Sequence, residues 1–323
     1  MSNLPDRLGD SGTSALLKHG RAYGVTAAIA VGAIAYMSGG ISGVEMGGAV
    51  ASTAPGAVSA VPFFQDNFDT GDTLTTATDA SAWDEIGTGG GGSFAVNTTN
   101  AFSGSHSLAM TFGPDISGAD SRVEPRLEIN GGNGGAGYSE VWVEYMFYVP
   151  ANFQHRDDTG SDNNKWFRIW AENYTGADPK AGMSFRPIGG ATTDSSFVYG
   201  QFGSAQLPIG DTGDATTWNL NWNPALGCSA TDCITAGTWG KVQMHFRLAT
   251  TASSNDGLQR MCNDDVVLFQ NDTLDWFGTG VDGNTLNQAY IMGAANSGYA
   301  SGTTFYLDDL KLYNENPGWI CEA

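Results

Sequence analysis

The chain has 323 residues, of which 45 are glycine, and its 14 Lys and Arg against 34 Asp and Glu give a formal net charge of −20. An acidic surface repels phosphate backbones, which argues against a nucleic-acid partner. Short aromatic and β-branched runs are separated by Gly, Asn, Asp and Ser, as is typical of a sandwich or barrel. No GxSxG, P-loop or HExxH motif is present.

Composition divides the chain into four segments. A polar segment is followed by an uncharged apolar one, then by a linker rich in Gly, Ala, Ser and Pro, and then by the globular part. These segments are residues 1–22, 23–44, 45–62 and 63–323. The sequence therefore predicts one large domain that begins at Phe63.

The apolar segment is long enough to span a bilayer. Lys18, His19 and Arg21 precede it, which by the positive-inside rule predicts a membrane anchor with the C-terminal domain outside the cell. Two other interpretations stay open. One is a signal peptide, although the small-residue site at Ala57-Val58-Ser59 lies far beyond the apolar run. The other is a Gly/Ala-rich arm that packs against neighbouring subunits in a filament or virion.

The chain has four cysteines, with no CxxC pair. An even number in a loop-rich β protein favours disulfides and a compartment outside the reducing cytosol. Cys228 and Cys233 lie five residues apart in a loop-like stretch, so we expect them to pair. Four free thiols in a cytosolic protein are the alternative.

Alternating apolar and polar residues predict ten strands, and no helical period is found. Ten short strands imply two packed antiparallel sheets. The predicted strands are residues 107–112, 122–129, 140–149, 165–171, 183–187, 196–202, 241–249, 265–270, 289–294 and 304–313.

The second predicted strand carries the first chemically suggestive pattern. Residues two apart in a strand share a face, so Arg122, Glu124 and Arg126 point the same way. Two guanidinium groups spaced by a carboxylate form a planar donor array that binds carboxylates bidentately. A solvated face of alternating charge is the other interpretation. Pro125 predicts an edge or bulged position.

Residues 165–170 read Lys-Trp-Phe-Arg-Ile-Trp. Alternation places Trp166, Arg168 and Trp170 on one face, with the intervening apolar residues in the core. Indoles stack on sugar rings, and an Arg between them can pair with a uronate or a sulfate. The alternative is that both Trp side chains are buried.

The strand at residues 241–249 places Gln243, His245 and Arg247 on its polar face. Imidazole titrates near neutrality, so His245 is a candidate general base, and Arg247 a candidate substrate ligand. A solvated sheet face is the other interpretation. If this strand shares a sheet with the two preceding ones, the few arginines of an acidic chain gather in one place, which predicts an anionic ligand.

Acidic residues lie at both ends of the domain. Asp66 and Asp69 open it, and Asp309 lies in the last strand. First and last strands commonly pair in sandwiches, so their oxygens could together hold a structural Ca²⁺, a hard cation that takes six to eight oxygen ligands. Turn-forming Asp residues at strand ends are the alternative.

In this order, the segments resemble the concanavalin-like jelly-roll polysaccharide lyases, the alginate-lyase-like and heparin-lyase-like group. The matching motifs are Arg-Val-Glu-Pro-Arg at 122–126, Trp-Val-Glu-Tyr-Met-Phe-Tyr-Val-Pro at 142–150, Gly-Thr-Trp-Gly-Lys-Val-Gln-Met-His-Phe at 237–246, Tyr-Ile-Met-Gly at 290–293 and Phe-Tyr-Leu-Asp-Asp-Leu at 305–310. The resemblance implies a jelly-roll sandwich that acts on an anionic polysaccharide by β-elimination.

β-Elimination needs a group that neutralises the uronate carboxylate, a base for the C5 proton and an acid for the leaving oxygen. The resemblance implies that Arg122 and Arg126 neutralise, and it leaves His245, Tyr290 and Tyr299 as candidates for the base and the acid. The chain departs from the family pattern elsewhere. Arg-Ile-Trp at 168–170 replaces Gln-x-His, and Met292 and Asn296 replace a Lys and a catalytic Tyr.

The sequence thus predicts an extracellular or cell-surface domain that binds, and as an enzyme would cleave, an anionic polysaccharide. It predicts no cofactor beyond the structural calcium. The alternative is a non-catalytic structural protein of a virion, filament or envelope, with the apolar segment as its assembly arm. A membrane and further copies of the chain are the other partners that the residues allow.

Overall fold

Strands account for every regular element in the described chain except one 3₁₀ turn at Ile320–Glu322. The computed structural model describes residues 60–73, 82–114, 121–130, 136–154, 164–171, 180–187, 195–203, 217–221, 236–278, 283–295 and 299–322. The strands are β1 (Phe64–Asp66), β2 (Ala82–Gly89), β3 (Ser93–Asn97), β4 (Ser107–Phe112), β5 (Ser121–Glu128), β6 (Glu140–Tyr148), β7 (Asn164–Trp170), β8 (Lys180–Pro187), β9 (Ser195–Gly203), β10 (Thr217–Asn221), β11 (Trp239–Arg247), β12 (Gly257–Asn263), β13 (Val266–Leu274), β14 (Gln288–Ile291), β15 (Gly293–Ala295) and β16 (Thr303–Tyr313).

The strands form two sheets. Sheet A has the order β13-β12-β11-β6-β16-β4-β3, and β1 pairs with the end of β16. Sheet B has the order β10-β9-β8-β7, followed by β14 and β15, then β5 and β2. β14 and β15 are successive parts of one interrupted strand that lies between β5 and β7. All these pairs are antiparallel, so the prediction of an all-β, two-sheet antiparallel jelly-roll sandwich is confirmed.

The core lies between the sheets, because the apolar side of each alternating strand turns inward. The ring centroids of Phe167 in sheet B and Phe246 in sheet A lie 5.4 Å apart. The amide of Gln259 in sheet A donates to the carbonyl of Gly182 in sheet B at 2.7 Å. The polar faces of the two sheets therefore point in opposite directions, and this arrangement decides which predicted site residues can meet.

All ten predicted strands are present, with ends that differ by a few residues, and the predicted strand at 289–294 is split into β14 and β15. Alternation did not predict five further strands, which are β1, β2, β3, β10 and β12. Most of these are short. β2 is rich in polar residues and Gly, and β12 carries polar residues on its inner face, so neither shows a clear alternation of apolar residues.

A C-terminal tail packs on the outer face of sheet A. Trp142, Tyr313 and Trp319 form a small apolar cluster there, and a disulfide joins Cys262 of β12 to Cys321 of the tail. This pairing was not predicted. The expected pair Cys228 and Cys233 lies outside the described residues, as do the predicted segments 1–22 and 23–44 and most of the linker. Within the described ranges, no helix is long and apolar enough to cross a membrane.

Candidate functional site

The pattern of β5 is realised on the outer face of sheet B. Val123 and Leu127 lie in the core, whereas Arg122 and Arg126 remain 42% and 35% exposed at their side chains. Glu124 is buried between the two arginines. Its Oε2 lies 2.9 Å from Nη2 of Arg126 and 3.9 Å from Nη1 of Arg122. The carboxylate thus holds two partly exposed guanidinium groups side by side, as the sequence predicted.

Tyr290 of β14 lies between β5 and β7 on this face. In the strand register it lies opposite Arg126 on one side and opposite Arg168 on the other. Directly opposed side chains in a sheet have Cβ atoms about 5 Å apart. Arg126, Tyr290 and Arg168 therefore form one continuous row, which we call the sheet B row.

Arg168 is a buried cation with a fixed position. Its side chain is 2% exposed, and Nη1 donates to the carbonyl of Phe167 at 2.9 Å and to that of Met183 at 2.7 Å. A Cβ at Gly182 would lie 2.5 Å from this Nη1, so the absence of a side chain on β8 makes room for the guanidinium. Arg168 thus contributes a preorganised positive charge to the row.

Trp166 does not lie with Arg168 on this face, and that prediction is wrong. Its indole is fully buried in the core, where its centroid lies 5.4 Å from that of Phe147. The register of β7 against β8 shifts between Lys165 and Phe167. This bulge inserts one residue into the alternation, so Trp166 and Phe167 both turn inward. Sequence alternation cannot locate such a shift.

The same shift makes Lys165 part of the site, although alternation predicts no role for it there. A Cβ at Gly293 would lie 2.8 Å from Cε2 of Tyr290 and 3.1 Å from Cβ of Lys165, so both side chains flank Gly293. Lys165 is half-buried. Strict alternation would have placed it with Ile169 in the core, so no local signal marks it.

Trp170 does lie on the outer face of sheet B. Its ring meets that of Tyr290 edge to face, with centroids 5.4 Å apart, and it is 5% exposed. The indole therefore packs against Tyr290 at the end of the row. Trp166 and Trp170 are both buried, so β7 does not present the two exposed Trp rings that the sequence predicted. We call Arg122, Glu124, Arg126, Lys165, Arg168, Trp170 and Tyr290 together the sheet B face.

His245 lies on the outer face of sheet A, away from the arginines with which it was expected to act. Its Nε2 is 2.8 Å from Oε1 of Glu140, and its Nδ1 is 2.6 Å from Oε1 of Glu322 in the tail. The ring also stacks on Trp142 with centroids 4.2 Å apart. Because β11 belongs to sheet A and β5 to sheet B, the expectation that His245 shares a surface with Arg122 and Arg126 is wrong.

Arg247 is separated from the sheet B face in the same way. It lies two residues beyond His245 on β11, and its Nε and Nη2 donate to the carbonyl of Asp256 at 3.2 and 3.0 Å. The three polar strand faces of the sequence prediction therefore do not share a sheet: β5 and β7 belong to sheet B, and β11 belongs to sheet A.

Tyr299 is the remaining candidate for proton transfer, and it lies in the core. Its ring packs edge to face on Phe112 at 5.4 Å, and burial raises the pKa of its hydroxyl well above 10. Of the three candidates for acid and base, only Tyr290 lies beside the arginines of β5.

The acidic residues at the ends of the domain are partly brought together. β1 pairs with β16, as expected for first and last strands. The carboxylate of Asp66, however, accepts from the indole of Trp83 and from the backbone N–H of Phe68, both at 2.7 Å. The carboxylate of Asp69 accepts a hydrogen bond from the backbone N–H of Ser105 at 2.7 Å.

The carboxylate of Asp309 accepts a hydrogen bond from the hydroxyl of Ser103 at 3.0 Å. Among the residues that the structure describes, no three His, Cys, Asp or Glu side chains are placed to hold a metal ion. The oxygens of Asp66, Asp69 and Asp309 are thus engaged with separate protein donors, which is how turn-forming Asp residues behave. A structural Ca²⁺ at this corner stays a prediction.

Comparison with known proteins finds no matching family model and no matching curated protein. Solved structures of similar fold include alginate lyase Aly36B, with 15% identity, 79% of this chain and 98% of that chain covered, and a TM-score of 0.47. An endo-β-1,4-glucuronan lyase from the fungus Trichoderma reesei has 15% identity, coverage of 73% and 94%, and a TM-score of 0.46. Alginate lyase vAL-1 from a Chlorella virus has 10% identity, coverage of 72% and 92%, and a TM-score of 0.43.

Proposed function

We propose that the sheet B face binds an anionic polysaccharide and that the domain cleaves it by β-elimination. The observation that carries this proposal is the sheet B row, in which Tyr290 lies between Arg126 and Arg168. The chain has only 14 Lys and Arg for 34 Asp and Glu. On the sheet B face, Arg122 and Arg126 share the single carboxylate of Glu124. The outer face of sheet A also carries four cations, but each lies within 4 Å of a different carboxylate; the pairs are Lys241–Asp265, Arg247–Glu140, Arg260–Glu322 and Lys311–Glu144. A ligand with regularly spaced carboxylates or sulfates is the natural partner of the sheet B face.

Arg122 and Arg126 are the cations that a polymer can reach. Their guanidinium groups are partly exposed and share Glu124, which limits their movement. In the proposed reaction they bind the uronate carboxylate and neutralise its negative charge, so that the C5 proton becomes more acidic. Arg168 adds a fixed positive charge nearby without needing to move.

Tyr290 is the proposed proton-transfer residue. A tyrosine can serve as general base and as general acid, and here it is the candidate next to the neutralising arginines. In the elimination step a base takes the C5 proton, the C4–O bond breaks, a C4=C5 double bond forms, and the leaving oxygen receives a proton. Lys165, which flanks Gly293 together with Tyr290, adds a further positive charge to the same face.

The disulfide between Cys262 and Cys321 supports the further proposal that the domain works outside the reducing cytosol. Such a location fits a polymeric substrate, which is found outside the cell or at its surface. Display on a membrane through residues 23–44 is part of this proposal and depends on the uncharged composition of that segment alone.

Binding is tested by isothermal titration with alginate, glucuronan and a glycosaminoglycan at low and at high salt. We expect binding to at least one of them and weaker binding at high salt, since ion pairs are screened. Arg126→Ala should weaken it about tenfold or more, as expected for the loss of a hydrogen bond to a charged group. Arg247→Ala, which removes a cation from the opposite sheet, is the matched control. Equal effects of the two variants would reject this site.

Cleavage is tested by the new ultraviolet absorbance of unsaturated uronates. With a polymer that the wild type cleaves, Tyr290→Phe should lower the rate by about 10²–10⁴-fold and leave binding nearly unchanged, because the aromatic ring stays. Arg126→Lys keeps the charge but loses the planar fork, so it should weaken binding instead. Silence of the wild type across the whole panel would remove cleavage from the proposal and leave binding to be judged by titration.

A further inference from the structure

A second aromatic surface lies on the opposite side of the sandwich. Trp239 of β11 faces Tyr148 of β6 in the register, and Tyr148 faces Tyr306 of β16. The three rings form a row across three neighbouring strands, with centroids 5.6 and 5.7 Å apart. The neighbouring residues Phe147 and Leu307 point into the core, so this row lies on the outer face of sheet A.

Two segments outside the strands help the row to form a cleft. Residues 99–100 and 150–152 line a cavity of about 540 Å³ together with Tyr148 and Tyr306. Phe102, which is 48% exposed, extends the row beyond Trp239 with centroids 5.9 Å apart. We call this space the aromatic cleft. Its size suits a few pyranose rings.

The chemistry of the aromatic cleft differs from that of the sheet B face. None of the described residues that line the cavity is charged. Its polar side chains are the amides of Asn100 and Asn152 and the hydroxyls of Thr99 and Thr304, together with the phenol groups of the two tyrosines. Each of these groups can donate a hydrogen bond to a ligand or accept one from it.

We infer that the aromatic cleft binds a neutral polysaccharide. Tyrosine rings pack against the apolar C–H faces of pyranoses, while amide and hydroxyl groups bond to sugar hydroxyls. An anionic chain would find no cation among the described lining residues to balance its charge. The inference does not rest on the proposed function, because it concerns other residues on the other sheet. It assigns the domain a second glycan site, through which it holds a neutral polymer.

The test uses the full chain with cellohexaose and xylohexaose as probes. Binding is measured by isothermal titration and by the change in tryptophan fluorescence, since Trp239 belongs to the row. We expect the wild type to bind at least one hexaose. Tyr148→Ala and Tyr306→Ala should each weaken binding about tenfold, as expected for the loss of a stacking ring. Tyr148→Phe and Tyr306→Phe keep the rings with minimal risk to folding, and they should weaken it by a smaller factor through loss of the hydroxyls.

Phe94→Ala is the matched control. Phe94 is an exposed aromatic residue of the same sheet, but its partner in the register is the core residue Met110, so it lies on the other face. This variant should bind the hexaose like the wild type. Wild-type protein that binds neither hexaose, or variants of both tyrosines that bind like the wild type, would overturn the inference.

Arg126→Ala separates the two sites. It should leave hexaose binding unchanged while it weakens binding of the anionic polymer. Loss of hexaose binding in Arg126→Ala would place the neutral chain on sheet B and reject the aromatic cleft. Failure of the anionic polymers to bind would reject the proposed function and leave the hexaose result standing.

Discussion

Glu322 connects the C-terminal tail to sheet A. Its carboxylate accepts the indole N–H of Trp142 at 3.0 Å and lies 2.6 Å from Nδ1 of His245 and 3.5 Å from Nη1 of Arg260. Burial acts to raise the pKa of Glu322, but the contacts with His245, the indole and Arg260 together outweigh it, so the pKa is lowered. The ionised form is therefore the one that stabilises the fold.

The direction of the pH effect follows from that shift. A carboxyl whose folded pKa is depressed contributes stability above its unfolded pKa, and the contribution is lost as the pH falls through the folded pKa. Glu322→Gln should lower the free energy of unfolding at pH 7 by about 1–3 kcal/mol, and the difference from wild type should shrink below about pH 4. Urea denaturation across this range measures it. Glu315→Gln, at an exposed position just before the tail, should show no such trend.

At the scale of single residues, alternation predicted the sheet B face only in part. Arg122, Glu124 and Arg126 lie as the sequence indicated, because β5 follows period two throughout. Arg168 and Trp170 also lie on the expected face, but they are buried rather than open. Their exposure depends on what packs around them, which no local pattern reports.

At the scale of elements, the decisive feature is a pair of irregularities that face each other. β7 shifts register at Trp166, and the neighbouring strand is interrupted between β14 and β15 at Met292, whose φ is 62°. The N–H of Met292 donates to the carbonyl of Trp166 at 2.6 Å. This one hydrogen bond satisfies a backbone donor at the interruption and a backbone acceptor at the bulge. With the two irregularities in place, the side chain of Lys165 lies on the outer face of sheet B.

Gly293 makes this arrangement feasible. Its φ is 130°, a conformation that residues with a Cβ rarely adopt, and a Cβ would press on Tyr290 and Lys165. Gly293→Ala should therefore lower the free energy of unfolding by about 1–3 kcal/mol and weaken binding of the anionic polymer by displacing Tyr290. Urea denaturation and titration measure the two effects.

Gly302→Ala is the matched control for stability. Its Cβ would meet only the carbonyl of Phe112, at 3.9 Å, which is an ordinary contact. A Gly293→Ala protein that is as stable as the wild type and binds the polymer equally well would show that the interruption of this strand places no constraint on Tyr290.

At the scale of the whole molecule, the Cys262–Cys321 disulfide ties the tail to sheet A across 59 residues of sequence. A cross-link of that span restricts the unfolded chain and is worth about 4 kcal/mol by loop-closure entropy. The Cys262→Ser/Cys321→Ser variant should melt about 8–16 °C lower than the wild type, at about 2–4 °C per kcal/mol for a domain of this size.

Calorimetry without reductant measures this difference. Binding of the anionic polymer at a temperature where the variant is folded should be unchanged, because the tail lies on the opposite sheet from Arg126. A variant with the melting temperature of the wild type would contradict the stabilising role of the cross-link. A variant that is folded yet loses polymer binding would contradict the separation of the two sheets.

The sequence by itself determined the class of fold and the face on which each regular strand carries its polar residues, because alternation is a property of the extended backbone. It could not determine that β11 lies in sheet A while β5 and β7 lie in sheet B, nor that a bulge moves Trp166 inward and Lys165 outward. Those outcomes depend on which apolar faces, distant in the chain, bury the most surface against each other. Only the tertiary structure therefore decided that His245 and Arg247 belong to a different side of the molecule from the sheet B row.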